Sequence, residues 1–210
     1  MKLSDLIFPL NETPLPPDWE KEKFSPKTSF RAMIAYAKER AKQVGRGSSR
    51  VAFEIPYQGR KTVLKVALNR KGIAQNQEEA RLLDDGYLEK IGITIPLIDF
   101  DQENGDRISW IHTEFAEKIT QKQLEQFFGH DLNDIAQYLD DQSGVRRRLS
   151  APKLPQEVYD NEYFQMLQDL TVNYTIPASD LTRKANWGLY QGEPVIIDLG
   201  FTTTTMALYQ

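Results

Sequence analysis

A chain of 210 residues with 40% hydrophobic content is long enough for one domain, or for two small lobes sharing a cleft. Its formal net charge of −4 excludes a protein that grips nucleic acid through overall basicity, and the absence of cysteine excludes disulfides and thiolate metal sites. No apolar stretch approaches the ~18 residues of a membrane span, and the start lacks a basic region followed by an apolar core, so a cytoplasmic protein is expected, without membrane contact.

Residues 1–27 carry Pro9, Pro14, Pro16, Pro17 and Pro26, which preclude a regular helix and favour extended backbone. Leu6, Ile7, Phe8, Leu15 and Trp19 are too apolar for a free tail, so this arm is expected to lie along the folded body; a partner-binding peptide is the alternative. Phe30, Met33, Ile34, Ala37, Ala41 and Val44 recur at helical spacing and predict a packing helix over Ser29–Val44, capped by Thr28 or Ser29 and ended by Gly45.

Gly45-Arg46-Gly47-Ser48-Ser49-Arg50 follows. Gly45, Gly47, Ser48 and Ser49 ahead of a strand let backbone approach a phosphate with free amide hydrogens, although Arg50 stands where G-x-G-x-x-G has its third glycine; a plain helix-to-strand turn is the alternative. No Gly-Lys-Ser/Thr follows, which excludes a Walker A loop. Glycines that follow a helix and open a strand also differ from a Rossmann fingerprint, where they follow a strand and open a helix. Val51–Pro56 and Thr62–Leu68 read as strands about a Gln58-Gly59 turn. Lys65 lies inside the apolar run Val63–Ala67, and a lysine on a buried face needs an anionic partner; a sheet-edge lysine is the alternative. The next helix is predicted over Ile73–Lys90. Glu79 shares a stripe with Leu83, Tyr87 and Ile91, whereas Glu78 shares one with Leu82, Asp85 and Glu89, so Glu79 is the inward partner.

Ile95–Asp101 and Arg107–Phe115 read as a hairpin about Asn104-Gly105, residues 117–142 as helical, and Gln121–Phe128 as one short helix within them. His112 and His130 have no metal-ligand spacing and read as structural. Ser143–Pro155, with Arg146-Arg147-Arg148 and Ser150, reads as a solvated basic loop, with anion binding or phosphorylation as alternatives. An amphipathic helix over Glu157–Tyr174 is stopped by Ile176-Pro177 and delivers Asp180 on a loop. Gly188–Tyr190 and Val195–Ile197 flank Gln191-Gly192-Glu193. Folding this hairpin about Gly192 sets Asn186 opposite Ile197 or Asp198, where an amide oxygen and a carboxylate suit Mg²⁺ bridging phosphate oxygens; an ordinary hairpin with solvated ends is the alternative.

Asp180…Asn186…Asp198-Leu199-Gly200, after the glycine-rich turn, Lys65 and Glu79, resembles the catalytic loop and metal-binding segment of the protein-kinase superfamily. Three departures stand out: one extra residue between Asp180 and Asn186, Ser179 in place of Arg, and Leu199 in place of Phe. The stretch Val63–Glu79, with Lys-Gly-Ile-Ala-Gln-Asn inside it, also resembles kinase-like proteins encoded by tailed bacteriophages. The resemblance implies an α+β, two-lobed fold with an antiparallel-sheet N-lobe and a minimal helical C-lobe. It divides the chain into an arm and packing helix (1–44), a nucleotide-binding subdomain (45–116) and a truncated C-lobe (117–210).

It also implies ATP and Mg²⁺ as cofactors. Lys65, held by Glu79, would neutralise the α- and β-phosphates, Asn186 and Asp198 would hold metal, and Asp180 would orient the acceptor, with Arg183 or Lys184 offsetting charge on the transferred group. Thr113–Ala116 would be the hinge, where backbone at Glu114 and Ala116 binds adenine. Ten residues follow Gly200, where a full protein kinase continues into its substrate-binding helices, so no such platform is expected. The expected activity is phosphotransfer to a host or phage protein, with AMP transfer as a variant. A kinase-like binding protein without catalysis, or a virion or assembly component, is the alternative.

Overall fold

Val51, Phe53 and Ile55 alternate with Arg50, Ala52 and Glu54, so one face of this strand is apolar and the other carries charge. In a computed structural model, which describes residues 15–103, 105, 107–143 and 152–209, that strand lies inside a five-stranded antiparallel sheet. Its strands are β1 (Lys42–Arg46), β2 (Arg50–Tyr57), β3 (Arg60–Ala67), β4 (Leu97–Phe100) and β5 (Trp110–Glu114), in the order β1-β2-β3-β5-β4. Gln58 and Gly59 both take positive φ, 48° and 75°, as a two-residue β2–β3 turn requires. Pro9, Pro14 and Leu6–Phe8 of the arm, Asn104 of the β4–β5 connection, and Arg146–Arg148 with Ser150 lie outside the described residues.

Against the apolar face pack Leu15, Trp19 and Phe24 of the arm, together with α1 (Phe30–Arg40) through Met33, Ile34, Tyr36 and Ala37. Trp19 stacks on Phe24 at 5.5 Å between ring centroids and meets Tyr36 edge-on at 5.7 Å. From Leu15 onward the arm therefore lies along the body. The opposite face receives α2 (Arg70–Leu83).

The second lobe is built from α3 (Gly86–Ile91), β6 (Glu117–Lys118), α4 (Gln121–Phe128), α5 (Leu132–Gln142), α6 (Gln156–Tyr159), α7 (Glu162–Asn173), α8 (Ala178–Leu181), the hairpin β7 (Trp187–Tyr190) and β8 (Glu193–Ile196), and α9 (Thr203–Met206). Phe128, Ile135, Phe164, Leu167, Leu170, Leu181 and Trp187 form its core. The segment between the lobes is stitched to β8: Ile95 N–H donates to the Ile196 carbonyl (3.0 Å), and Ile196 N–H to that of Ile93 (2.8 Å). The α+β fold class expected from the sequence, an antiparallel-sheet lobe followed by a mainly helical one, is the one observed. Among the described residues no helix is long and apolar enough to cross a membrane.

Several element bounds differ from expectation. The first helix stops at Arg40 rather than Val44, because Lys42–Arg46 pairs with β2 instead. Val44 is 42% exposed, so its helical spacing was incidental. Gly45 therefore caps no helix: it sits in β1 opposite Ala52, and the glycine-rich turn joins two strands. The helix predicted over Ile73–Lys90 is two, because the Asp85 carboxylate accepts from Tyr87 and Leu88 N–H and starts a new one. The helix over Glu157–Tyr174 is likewise split at Asn161, which caps α7 through Phe164 N–H and donates to the Phe127 carbonyl. Residues 117–118, expected helical, form β6 against β7. Asp180 lies on α8, not on a loop.

Candidate active site

Strand alternation turns Lys65 toward α2, in register with Ala52 on β2 and Ile111 on β5. There its ammonium donates to Glu79 Oε1 and to the carbonyl of Ile197. Glu79 is fully buried, while Glu78 points outward and pairs with Arg81 at 3.0 Å. The stripe that orients Glu79 runs through Ile73, Asn76, Ala80 and Leu83 and ends with α2; Tyr87, expected to extend it, is 53% exposed.

The residue that sequence reasoning missed is Arg50, noted there only as the failure of a third glycine. It is buried, and its Nη1 donates to Glu79 Oε2 and to Asn76 Oδ1 (3.3 Å), while Nη2 donates to Asp198 Oδ1. Asn76 is itself oriented, since its Nδ2 donates to the Ile108 carbonyl at 3.1 Å. A signal was present: apolar Val51, Phe53 and Ile55 on one face leave Arg50 on the face of Lys65. Gly200 permits this junction between lobes, because a Cβ there would lie 2.8 Å from the Gln75 carbonyl oxygen and 3.0 Å from Arg50 Nη2.

The glycine-rich turn is bound to α2. Gly72, in the first turn of α2, lies so close that a Cβ would come 2.2 Å from the Ser49 carbonyl oxygen. Asn69 Nδ2 donates to the Ser48 carbonyl (3.2 Å), Leu68 N–H to that of Ser49 (2.7 Å), and the Ser49 hydroxyl to Gln75 Oε1. Gly47 N–H closes the turn on the Arg50 carbonyl at 2.9 Å, and Gly45 lies within β1. The Ser49 side chain thus serves the turn's attachment to α2.

At the hairpin's open end, Ile197 N–H donates to the Asn186 carbonyl at 2.7 Å, which sets Asn186 opposite Ile197 and beside Asp198. Asn186 Nδ2 donates to the Asp180 carbonyl at 3.0 Å, so Oδ1 is the end of the amide left by that bond. Trp187 Nε1 donates to the Leu181 carbonyl at 2.6 Å and ties α8 to β7. Burial, and then the neighbouring Asp198 carboxylate, push the partly exposed Asp180 carboxyl up to about 6. Desolvation works the same way on Asp198, but the Arg50 and Lys65 charges outweigh it and hold that carboxyl below the usual range. Its side chain is 46% exposed, so it is open on the side away from Arg50.

Among the described residues no three His, Cys, Asp or Glu side chains converge to hold a metal ion. Asn186 and Asp198 fit a hard cation that takes its remaining ligands from phosphate oxygens and water, as Mg²⁺ does. At the expected hinge, Glu114 is held by Arg60 through its carboxylate (Nη2 to Oε1, 2.8 Å) and by the Pro96 carbonyl through its N–H (3.0 Å). Ala116 lies over β7, where a Cβ on Gly188 would come 2.6 Å from the Ala116 Cβ. Two clefts lie elsewhere, one lined by Leu15, Phe24 and Trp110, the other by Phe30, Met33 and Ser109.

No protein-family model and no curated protein matches the chain. Similar solved structures are those of aminoglycoside phosphotransferase APH(4)-Ia. A thermostable mutant in apo form is 15% identical with a TM-score of 0.32, over 76% of this chain and 66% of that one. A ternary complex of a mutant with ADP and hygromycin B is 16% identical with a TM-score of 0.34, over 81% and 70%. The matched part of this chain spans about two thirds of that enzyme's length.

Proposed function

We propose that this protein is an ATP- and Mg²⁺-dependent phosphotransferase of kinase-like fold. One observation carries the reading: Lys65 from β3, Glu79 from α2, and Asn186 and Asp198 from the two ends of one hairpin assemble at the junction of the lobes, with Asp180 next to them on α8. Lys65, oriented by Glu79, neutralises phosphate charge, and the turn Gly47–Ser49 borders the phosphates. Asn186 and Asp198 present oxygens to metal. Bound Mg²⁺·ATP supplies the activated phosphoryl group. Asp180 is half-charged near pH 6 and sits beside the metal carboxylate, which suits a base that receives the acceptor hydroxyl's proton. Backbone at Glu114 and Ala116 is assigned to adenine. The proposed acceptor is a host or phage protein, on the resemblance of Val63–Glu79 to phage-encoded kinase-like proteins.

A second reading, a kinase-like binding protein without turnover, is favoured by the Arg50 contact, which engages one oxygen of the metal carboxylate. Calorimetry and thermal shift with ATP, with and without Mg²⁺, test nucleotide binding; heat and a raised melting temperature are expected only with metal, and Lys65→Met weakens both. Incubation with γ- and α-labelled ATP then separates phosphoryl from AMP transfer. Binding without label transfer to any acceptor in host lysate would favour the second reading.

A further inference from the structure

We propose that the site takes a single divalent metal ion, and that the Arg50 guanidinium supplies the fixed positive charge that a second ion would bring. The inference rests on the nucleotide reading above and specifies its metal content. A carboxylate shared by two ions offers one oxygen to each. Here Oδ1 of Asp198 is already engaged by Arg50 Nη2, which leaves Oδ2 and the Asn186 amide oxygen for one ion.

Arg50 is not a surface side chain that a metal would displace at little cost. Its Nη1 is held from behind by Glu79 Oε2 and by Asn76 Oδ1 at 3.3 Å, and Asn76 is locked by the Ile108 carbonyl. The guanidinium cannot shed its charge by losing a proton, so a second cation at Asp198 Oδ1 would stand directly against it. Arg50 and Lys65 already offset Glu79 and Asp198 without metal, which leaves the Asp180 carboxylate beside them for a single ion to offset. Among the described residues no three His, Cys, Asp or Glu side chains converge on a metal site, and the one further acid beside Asp198 is Asp180. Gly200 keeps the contact close, since any side chain at that position would press on Arg50 Nη2.

The test is the count of Mn²⁺ bound per full-length chain at saturating ATP, read from the loss of the free-Mn²⁺ electron paramagnetic resonance signal. The wild type should bind one ion per chain, and Arg50→Lys should also bind one. Arg50→Gln, which keeps hydrogen bonding but removes the charge, should bind two. It should also need roughly tenfold more Mg²⁺ to reach the wild-type ATP affinity. Two ions in the wild type, with normal ATP binding, would overturn the single-metal inference and leave the nucleotide reading standing. Neither Mn²⁺ nor ATP bound would overturn both. The wild-type count decides the matter even where Arg50→Gln fails to fold.

Discussion

Neighbouring residues of β2 and β3 point into two different chemistries. On one side Val51, Phe53, Ile55, Leu64 and Val66 meet the arm and α1 in a largely apolar contact, sealed by the Trp19, Phe24 and Tyr36 rings. On the other, Arg50 and Lys65 meet Glu79 and Asp198 in an enclosed ionic cluster. Apolar burial stabilises in proportion to the area removed from water and tolerates rearrangement. Buried ions gain little net stability, because desolvation opposes their attraction, and they demand defined partners. The two faces of one sheet therefore separate what holds the lobe together from what its site does.

The largest effect is expected on the apolar face. Phe53 is fully buried, and Phe53→Ala should lower stability by about 3–5 kcal/mol in chemical denaturation. The folded fraction should bind nucleotide as the wild type does. A loss of binding beyond the loss of fold would show that the faces are not separable.

Next comes Glu79→Gln. It leaves two enclosed cations facing a neutral amide, which should cost about 3 kcal/mol, at the low end for a broken buried pair. Unlike Phe53→Ala, it should also weaken Mg²⁺·ATP binding in the protein that remains folded. A stability loss with unchanged affinity would remove Glu79 from the site.

Asp180 gives a smaller effect with a definite sign. Its folded-state pKa of about 6 lies above the ordinary carboxyl value, so the folded protein holds an extra proton between the two. Stability contributed by this group is full below about pH 4, is lost as pH rises through about 6, and is flat above. Asp180→Asn should therefore be about 1–2 kcal/mol more stable than wild type at pH 8, allowing for partial exposure, and about equal to it near pH 4. If Asp180 is the base, transfer should rise with pH to a plateau above about 6, and the Asn variant should lose turnover while keeping nucleotide affinity. Unchanged turnover would end its catalytic role.

How much of this was legible follows from range along the chain. Glu79 over Glu78 was readable because helix periodicity is local, and Asn186 opposite Ile197 or Asp198 because a turn about Gly192 fixes register to within one residue; the structure selects Ile197. Arg50 was harder: its partners Glu79 and Asp198 lie 29 and 148 residues away, and only the closing of the lobes brings them together. The first three residues of β1 were read as helix and Gly45-Arg46 as turn because Lys-Gln-Val-Gly-Arg has no alternation, and its pairing comes from an open edge of β2. Asp180 was placed on a loop although Pro177 precedes a helical turn, a start signal that was present but read only as a stop.

The smallest expected effect is the sharpest test of the comparison. If the ionic face is kept for its ligand and not for stability, replacing its buried members together should cost little. In a triple variant, Arg50→Met, Lys65→Met and Glu79→Leu, no cation loses its carboxylate and no enclosed carboxylate loses its cation. Asp198, at 46% exposed, can be solvated when Arg50 is gone. The new side chains would be apolar and of roughly similar volume beside Ala80 and Ile111, so the triple variant should lie within about 1 kcal/mol of wild type. Glu79→Gln alone should remain clearly worse than the triple. Mg²⁺·ATP binding should vanish in the triple variant all the same. A loss as large as that of Glu79→Gln would mean that the cluster also holds the two lobes together, through the link Arg50 makes from β2 to Asp198.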